Sequence, residues 1–503
     1  MLKTVMTENG MVRGLSGNNA RVSVFKGIPF AAPPVGENRW KAPKPASNWE
    51  GIRDCYKFGP ISVQDVPGID GTGLYDREWH VDPEIEMDED CLYLNVWTNA
   101  KSDKDKLPVI IWFFGGGFQW GYPPEMEFNG EHIAKRGVIV VSVNYRLNAF
   151  GFLTSTEISE ESPEAPANFG LLDQQAGIKW VKRNIAAFGG DPDNITIMGQ
   201  SAGAGSVFNH LCSNSSIGLY HKAVLLSGII GFPYTSDWVI TPRTFEEAKE
   251  LGDRFIKTLG VSTLDEARKL DAKFVCQKAN EFRTANNYFF APCVDYVFID
   301  DAPLNKFIRG EHAQVPIISG NTNDEFKSFI PAQNEEELKA KAHEIFGEKA
   351  DKFLSFDEAH KSQNGQYAIA NGIECAVKGA FEHNTKDSYY YLFNVDIPGW
   401  DNPGTFHSVD LWFFFETLGV CWRPFIGKHY DIARKMCNYL TNFAKKGNPN
   451  GDDADGTPME KWIPYTKDNK AGIEFTIDGP KEYINNSGYD EFIKDWLIEK
   501  ASK

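Results

Sequence analysis

Gly199-Gln200-Ser201-Ala202-Gly203 directly follows the apolar run Ile195-Thr196-Ile197-Met198. A G-x-S-x-G sequence at the end of a strand is the sequence form of a nucleophile elbow, a sharp strand-to-helix turn with a serine at its tip. The residues flanking such a turn are crowded, so only very small side chains fit there. The helix that follows directs its N-terminal amides and the positive end of its dipole at the serine. We therefore interpret Ser201 as a nucleophile.

Further apolar runs before and after the elbow indicate its setting. They are near-continuous, which is typical of strands buried on both faces of a parallel sheet, and they cover residues 109–113, 138–143, 223–228, 316–320 and 389–395. Helical spacing at residues 171–184 separates two of them. This alternation predicts an α/β fold with a large, mostly parallel central sheet flanked by helices. Residues 1–60 are predicted to form short antiparallel strands.

The 503 residues would suggest about three domains at ~150 residues each, but no linker, repeat or low-complexity segment divides the chain. We therefore predict a single catalytic domain, residues 1–503. Charged helical patterns at about 240–290 and 332–385 are interpreted as insertions over the carboxyl-terminal edge of the sheet, where ligands of α/β proteins bind.

The net charge of −17 argues against nucleic acid and anionic membranes as partners. No run approaches the ~18 apolar residues of a membrane span. No signal peptide is visible, which predicts a cytoplasmic protein; a secreted form whose leader has been removed is the alternative. The eight cysteines are scattered without CxxC pairs, so we expect buried free thiols, a reducing compartment and no metal site.

A serine nucleophile needs a base and a group that orients the base, and both follow the serine along the chain in folds with this elbow. Of the late histidines, His343 and His360 lie in charged, helix-like segments and are interpreted as surface residues. His407 lies in a flexible loop after the 389–395 run, from which it could reach the elbow. The acid is expected in the segment 316–326. The residue pattern of this segment does not choose between Asp324 and Glu325.

A glycine-rich loop offers donors for a developing oxyanion. Gly115-Gly116-Gly117 follows the 109–113 run, and its exposed amides could approach a ligand closely. The amide of Ala202, directly after the nucleophile, is the other expected donor. Aromatic residues flank these segments, and we expect about half of them to face the substrate: Phe114, Phe118, Trp120, Phe406 and Trp412.

Several motifs along nearly the whole chain resemble those of the type-B carboxylesterases, the carboxylesterase/cholinesterase group of α/β-hydrolases, in particular para-nitrobenzyl-esterase-like members. They are FKGIPFA (25–31), PPVG (33–36), EDCLYLNVW (89–97), GGGF (115–118), NYRL (144–147), FGGDP (188–192) and GQSAGA (199–204). The resemblance implies an α/β-hydrolase fold and a serine carboxylic-ester hydrolase that acts through an acyl-serine and needs no cofactor. The expected partner is a small-molecule ester, and the protein is expected to be a monomer or homodimer.

The resemblance also implies residue roles. It selects Glu325 as the acid and His407 as the base, and it assigns the oxyanion donors to Gly116, Gly117 and Ala202. Ser227 matches a serine that supports the acid. Gln200, next to the nucleophile, is expected to lie just behind the catalytic residues, and it sets the chain apart from the secreted cholinesterases.

This chain departs from the family at several positions. The glycine that follows the acid in the family is replaced by Phe326. The cysteine with which secreted members pair the cysteine of the EDCL motif is missing, so Cys91 is expected to be unpaired. Trp79 is out of register with the choline-binding tryptophan, so a cholinesterase is not predicted.

Apolar or aromatic esters, of aryl, p-nitrobenzyl or hydroxycinnamoyl type, are the expected substrates. The alternatives are a non-catalytic binding module of the same fold and a related lactone, amide or carbamate hydrolase.

Overall fold

The computed structural model describes residues 1–65, 72–78, 85–228, 243–363, 365–369 and 372–502; Trp79 and the start of the first predicted insertion lie outside these ranges. The strands are β1 Thr4–Thr7, β2 Gly10–Arg13, β3 Leu15–Ser16, β4 Ser23–Pro29, β5 Ile52–Asp54, β6 Tyr93–Thr98, β7 Leu107–Phe113, β8 Ile139–Val143, β9 Gly190–Gln200, β10 Lys222–Leu226, β11 Ile317–Thr322, β12 Ser328–Ile330, β13 Ser362–Gln363, β14 Gln366–Ile369, β15 Ser388–Asn394, β16 Ala471–Thr476 and β17 Gly479–Ile484.

The α-helices are α1 Leu74–Glu78, α2 Glu131–Lys135, α3 Asn148–Phe152, α4 Thr156–Glu161, α5 Phe169–Asn184, α6 Ala202–Cys212, α7 Phe245–Thr258, α8 Leu264–Ala267, α9 Ala272–Asn286, α10 Pro303–Ile308, α11 Glu335–Phe346, α12 Ala350–Leu354, α13 Gly372–Phe381, α14 Leu411–Phe414, α15 Gly427–Lys446 and α16 Gly488–Ala501. Short 3₁₀ turns connect several of them.

Eleven of the described strands form one sheet in the order β17-β16-β15-β11-β10-β9-β7-β8-β6-β4-β3. The strands from β16 through β15, β11, β10, β9 and β7 to β8 pair in parallel, and the strands at both ends pair antiparallel. Parallel pairing brings the carboxyl ends of the inner strands to one edge. The predicted α/β fold with a mostly parallel sheet is therefore confirmed.

The central strands are buried on both faces, as their continuous apolar runs predict. On β7, Val109, Ile111 and Phe113 belong to one core cluster, which includes residues of α5, α6, α13 and α16. Ile110 and Trp112 belong to a second cluster on the other face, with residues of α2, α14 and α15. A strand between two helical layers has no polar face, which explains the absence of period-two alternation in its sequence.

The two predicted insertions occupy different places. Helices α7 and α9 contribute Phe255 and Phe282 to a cluster that also contains Phe118 and Ala202, so this part of the chain packs beside the elbow. Helix α13 is instead the crossover between β11 and β15 and packs on the face of the sheet. Within the region 332–385 the structure also has β13 and β14, which pair with β12 and which the charged helical pattern did not predict.

The amino-terminal segment forms strands as expected. β1 and β2 pair antiparallel, but β5 joins them in parallel, and β4 extends the large sheet. Each of the eight cysteines is a free thiol, and all but Cys421 are buried. None of the helices in the described ranges is long and apolar enough to cross a membrane.

Candidate active site

The turn after β9 is strained. Ser201 has a φ of +53° and lies between β9 and the first residue of α6. A Cβ on Gly199 would lie 2.3 Å from the carbonyl oxygen of Gly203, and a Cβ on Gly203 would lie 2.1 Å from that of Phe113. Neither position accepts a side chain, so the two outer glycines of the motif are required by the backbone itself. The Ser201 N–H donates to the Leu226 carbonyl at 2.9 Å, which holds the strained turn to β10.

The loops after β11 and β15 bring a carboxylate and an imidazole together. Nδ1 of His407 is hydrogen-bonded to Oε1 of Glu325, although the two residues are 82 positions apart in the chain. Their side chains are 3% and 8% exposed. Because both side chains are buried, the carboxylate selects the ring tautomer and orients the imidazole more strongly than it could in water.

Further donors surround the Glu325 carboxylate. Oε1 accepts the Phe326 N–H at 3.0 Å, and Oε2 accepts the Thr322 hydroxyl at 3.3 Å. Burial alone would raise the pKa of Glu325, but the charge and the hydrogen bond of His407, together with the Phe326 N–H, outweigh it and lower the pKa. Ser227 also helps to lower that pKa, although its buried Oγ forms no hydrogen bond of good geometry within the described residues. Glu325 is thus held as a carboxylate.

Asp324, the alternative acid, has another role. Its Oδ2 accepts the main-chain N–H of Thr405 at 2.8 Å and the Thr405 hydroxyl at 3.0 Å, and its own N–H donates to the Thr405 carbonyl. Asp324 therefore connects the loop that carries Glu325 to the loop that carries His407. One carboxylate ties the two loops together while the next one contacts the imidazole.

The carboxylate of Asp410 is buried near the His407–Glu325 pair. Oδ2 of Asp410 accepts the Tyr391 hydroxyl at 2.7 Å, and Oδ1 is buried without a hydrogen-bond partner in the described part of the chain. Burial raises the pKa of Asp410 to about 6, assisted by the nearby charge of Glu325. The sequence analysis missed this residue, which stands three positions after His407.

The glycine loop after β7 turns sharply at two positions. Gly116 and Gly117 have φ values of +105° and +62°, and the Gly116 carbonyl accepts the N–H groups of Gln119 and Trp120, both at 3.0 Å. Within the described ranges, no main-chain acceptor is paired with the N–H of Gly116 or Gly117. Ala202 is the first residue of α6, so its N–H has no intrahelical acceptor.

The predicted aromatic residues divide into two groups. Phe118 packs edge-on against Phe152 with ring centroids 5.0 Å apart, in the cluster that contains Ala202; a Cβ on Gly117 would meet the Trp120 ring at 3.9 Å. Phe114, in contrast, is fully buried and stacks on Tyr145 at 4.4 Å. Trp412 and Phe406 belong to the same core cluster as Phe114.

The loop before His407 rests on a buried guanidinium that the sequence analysis did not single out. Arg423 donates to Oε1 of Glu78 at 2.6 Å, to Oδ1 of Asp401 at 3.0 Å and to the Pro398 carbonyl at 3.1 Å. Its Cζ lies 5.2 Å from the centre of the Phe406 ring. No spacing in the sequence links residue 78 to residue 423, so this network has no local signal.

The profile of the carboxylesterase family matches residues 2–371 and 348–491 of this chain. The chain belongs to the carboxylesterase family. It is a serine esterase, that is, a carboxylic ester hydrolase. Within the described ranges, no group of three or more His, Cys, Asp or Glu side chains could hold a metal ion.

Relatives in this family are similar over almost their whole length. The para-nitrobenzyl esterase of Bacillus subtilis is 30% identical over 95% of this chain and 96% of its own. The fumonisin B1 esterase of Sphingopyxis macrogoltabida is 32% identical over 88% of this chain and 82% of its own. A solved PNB esterase superposes with a TM-score of 0.81 at 28% identity, covering 98% of this chain and 99% of that one. The carboxylesterase EST55 of Geobacillus stearothermophilus has a TM-score of 0.77 at 30% identity, with 98% and 100% coverage.

Proposed function

We propose that Ser201, His407 and Glu325 act as nucleophile, base and orienting acid of this esterase. The observation that carries the proposal is the buried contact between His407 Nδ1 and Glu325 Oε1 at the edge of the sheet where the strained Ser201 turn lies. With Nδ1 engaged by the carboxylate, Nε2 is the ring atom that can take the hydroxyl proton of Ser201. Glu325 then stabilises the imidazolium that forms.

The serine oxygen attacks the ester carbonyl, and the carbonyl oxygen becomes negatively charged. The N–H groups of Gly116, Gly117 and Ala202 stabilise that charge, and the loss of one such donor typically costs ~3–4 kcal/mol. The imidazolium passes its proton to the departing alcohol, which leaves an acyl-serine. Water then loses a proton to the imidazole and attacks the acyl carbon. When this second intermediate collapses, the bond to the serine oxygen breaks, the imidazolium returns its proton to that oxygen, and the acid is released.

For the substrate we propose an ester with an apolar or aromatic group. The positions of Phe118 beside Ala202 and of Trp120 beside Gly117 support an apolar wall next to the oxyanion donors. Phe406 adjoins the base. Phe114 and Trp412 are assigned a packing role, since Phe114 stacks on Tyr145 and Trp412 is buried in the same core. We further propose that residues 1–503 form one catalytic domain, because one sheet takes strands from both ends of the chain.

A fluorophosphonate probe tests the nucleophile. We expect stoichiometric labelling of the wild type, none of Ser201→Ala, and slow labelling of His407→Gln. Equal labelling of Ser201→Ala would contradict the assignment, and an unlabelled wild type would favour a binding module.

A substrate panel tests the ester class. We expect p-nitrobenzyl and hydroxycinnamoyl esters to be hydrolysed with higher kcat/KM than short acetyl esters. A lactone, amide or carbamate turned over faster than every ester would place this chain with the other acyl hydrolases instead.

A further inference from the structure

Phe326 is the chain's departure from the family motif, and its ring lies against the base. The centroids of the Phe326 ring and the His407 imidazole are 4.4 Å apart, and the two planes are inclined by 33°. The two rings are therefore in direct contact, with their planes tilted. A glycine at this position, as in the family motif, has no side chain that could contact the imidazole.

The ring separates the base from solvent. Phe326 is 44% exposed, whereas the imidazole it contacts is almost completely buried. Its outer surface therefore faces water while its inner surface covers the imidazole. The Phe326 N–H also donates to Glu325 Oε1, so the same residue touches both members of the acid–base pair.

The ring of Tyr75 also packs against Phe326. Its centroid lies 5.6 Å from that of the Phe326 ring and 6.2 Å from that of the Phe406 ring. The ring of Phe326 is therefore packed between Tyr75 and the imidazole, so its orientation is restrained although it is half exposed.

We propose that Phe326 is a positioning residue that stabilises the protonated form of His407 through its ring face and keeps water from the His407–Glu325 pair. This inference rests on the proposed function. A cation over an aromatic face is attracted by the ring quadrupole. The imidazolium is the form that follows proton transfer from the serine, so the stack favours the reacting state over the resting one.

The charged and titratable groups around the imidazole come from several elements. Among the described residues they include Glu325 after β11, Tyr75 on α1, Asp410 in the His407 loop and, behind Phe406, Arg423. Substitution of Phe326 leaves all of them in place. A change in the pH dependence of a Phe326 variant is therefore attributable to the ring.

Three variants separate the effects of the ring. Phe326→Leu keeps an apolar cover but removes the π face, Phe326→Tyr keeps both, and Phe326→Gly restores the family residue and removes both. We expect the acid limb of the kcat/KM profile of Phe326→Leu to move to lower pH by roughly half a unit. Phe326→Tyr should retain the wild-type profile. Phe326→Gly should show reduced kcat with a smaller change in KM.

Ring protonation of His407, followed by NMR in protein labelled with ¹⁵N-histidine and assigned with His407→Gln, gives a readout that does not require activity. The proposal predicts the same shift in the NMR titration of Phe326→Leu. Superimposable wild-type and Phe326→Leu titrations would overturn it, as would an equal shift in Phe326→Tyr. If the NMR titration of Phe326→Leu is shifted but the wild type hydrolyses no ester, the proposed role of the Phe326 ring stands and the proposed function is refuted.

Discussion

Nε2 of Gln200 lies 3.1 Å from Nε2 of His407. Because Nδ1 of the imidazole faces a carboxylate, the ring proton of the neutral form resides on Nδ1, and Nε2 is an acceptor. The side-chain amide of Gln200 therefore donates to the atom that takes the proton of Ser201 in the proposed mechanism. Gln200 Oε1 would lie 2.8 Å from a Cβ on Gly115, so the glycine loop also confines the amide. Gln200 favours the neutral ring, in contrast to Phe326, which favours the charged one.

Substitution of Gln200 by Glu should reverse this effect. A carboxylate at the same place attracts the imidazolium, so we expect the acid limb of kcat/KM to move to higher pH by about one unit. Gln200→Met keeps the size without the amide donor, so it should move the limb to higher pH, but by less than Gln200→Glu. The measurement is the pH profile of hydrolysis of one p-nitrophenyl ester. An unchanged Gln200→Glu profile would show that the amide does not contact the working base.

A methyl group at Gly203 should abolish the elbow. Its Cβ would lie 2.1 Å from the Phe113 carbonyl oxygen, which belongs to the sheet and cannot yield. Gly205 on the same helix is the matched control, because among the described residues a Cβ there meets only the Phe118 ring, at 3.7 Å. We expect Gly203→Ala to lose fluorophosphonate labelling and Gly205→Ala to retain it. Retained labelling in Gly203→Ala would contradict the close approach of the helix to β7.

Asp410 should destabilise the fold at high pH. Its pKa is about 6 in the folded protein and ordinarily near 4, so the folded state favours the neutral acid. Ionisation of the buried Asp410 lowers the free energy of unfolding. This loss is absent below about pH 4, grows as the pH rises, and is complete above about pH 6, where it reaches ~3 kcal/mol. Asp410→Asn remains neutral, so its thermal midpoint relative to the wild type should rise between pH 4.5 and pH 8. A constant difference across that range would refute this assignment.

Removal of the buried Arg423 side chain should markedly lower the free energy of unfolding. Arg423→Met leaves Glu78 and Asp401 without their shared partner, and breaking such a buried pair typically costs ~3–5 kcal/mol. The exposed Arg309, which pairs with Asp301, is the control, and Arg309→Met should cost less than about 1 kcal/mol. Urea unfolding measures both. Because Arg423 supports the loop before His407, esterase activity should fall in Arg423→Met, and the additional change Glu78→Met should recover part of the stability.

The sequence predicted the parts of the site that local chemistry determines. The elbow glycines are required by backbone crowding, and the central strands are recognisable because both of their faces are apolar. Asp324 and Glu325 are adjacent and chemically similar, so residue patterns alone left both open, and the resemblance to a family selected one. Contacts such as Gln200 with His407, or Arg423 with Glu78, join distant segments and become visible only when the strands are paired.

The second insertion illustrates a different limit. A charged helical pattern gives the period of a helix but not the surface it covers, so α13 could be predicted as a helix without its position on the sheet. The short strands β13 and β14 have too few residues for alternation to be recognised. Phe326 could be noticed as a departure from a motif, but its stacking partner depends on a loop about eighty residues later in the chain.

The strand order has a consequence for how this enzyme acquires activity. The glycine loop, Ser201, Ser227, Glu325 and His407 follow β7, β9, β10, β11 and β15, which are five adjacent strands of one sheet. Their parallel pairing joins residues far apart in the chain, and such non-local pairing forms slowly because loop closure costs entropy before contacts compensate for it. No amino-terminal fragment that ends before β15 contains the whole proposed site. Activity should therefore return only with the last phase of refolding, and during synthesis only after the chain has emerged past residue 407.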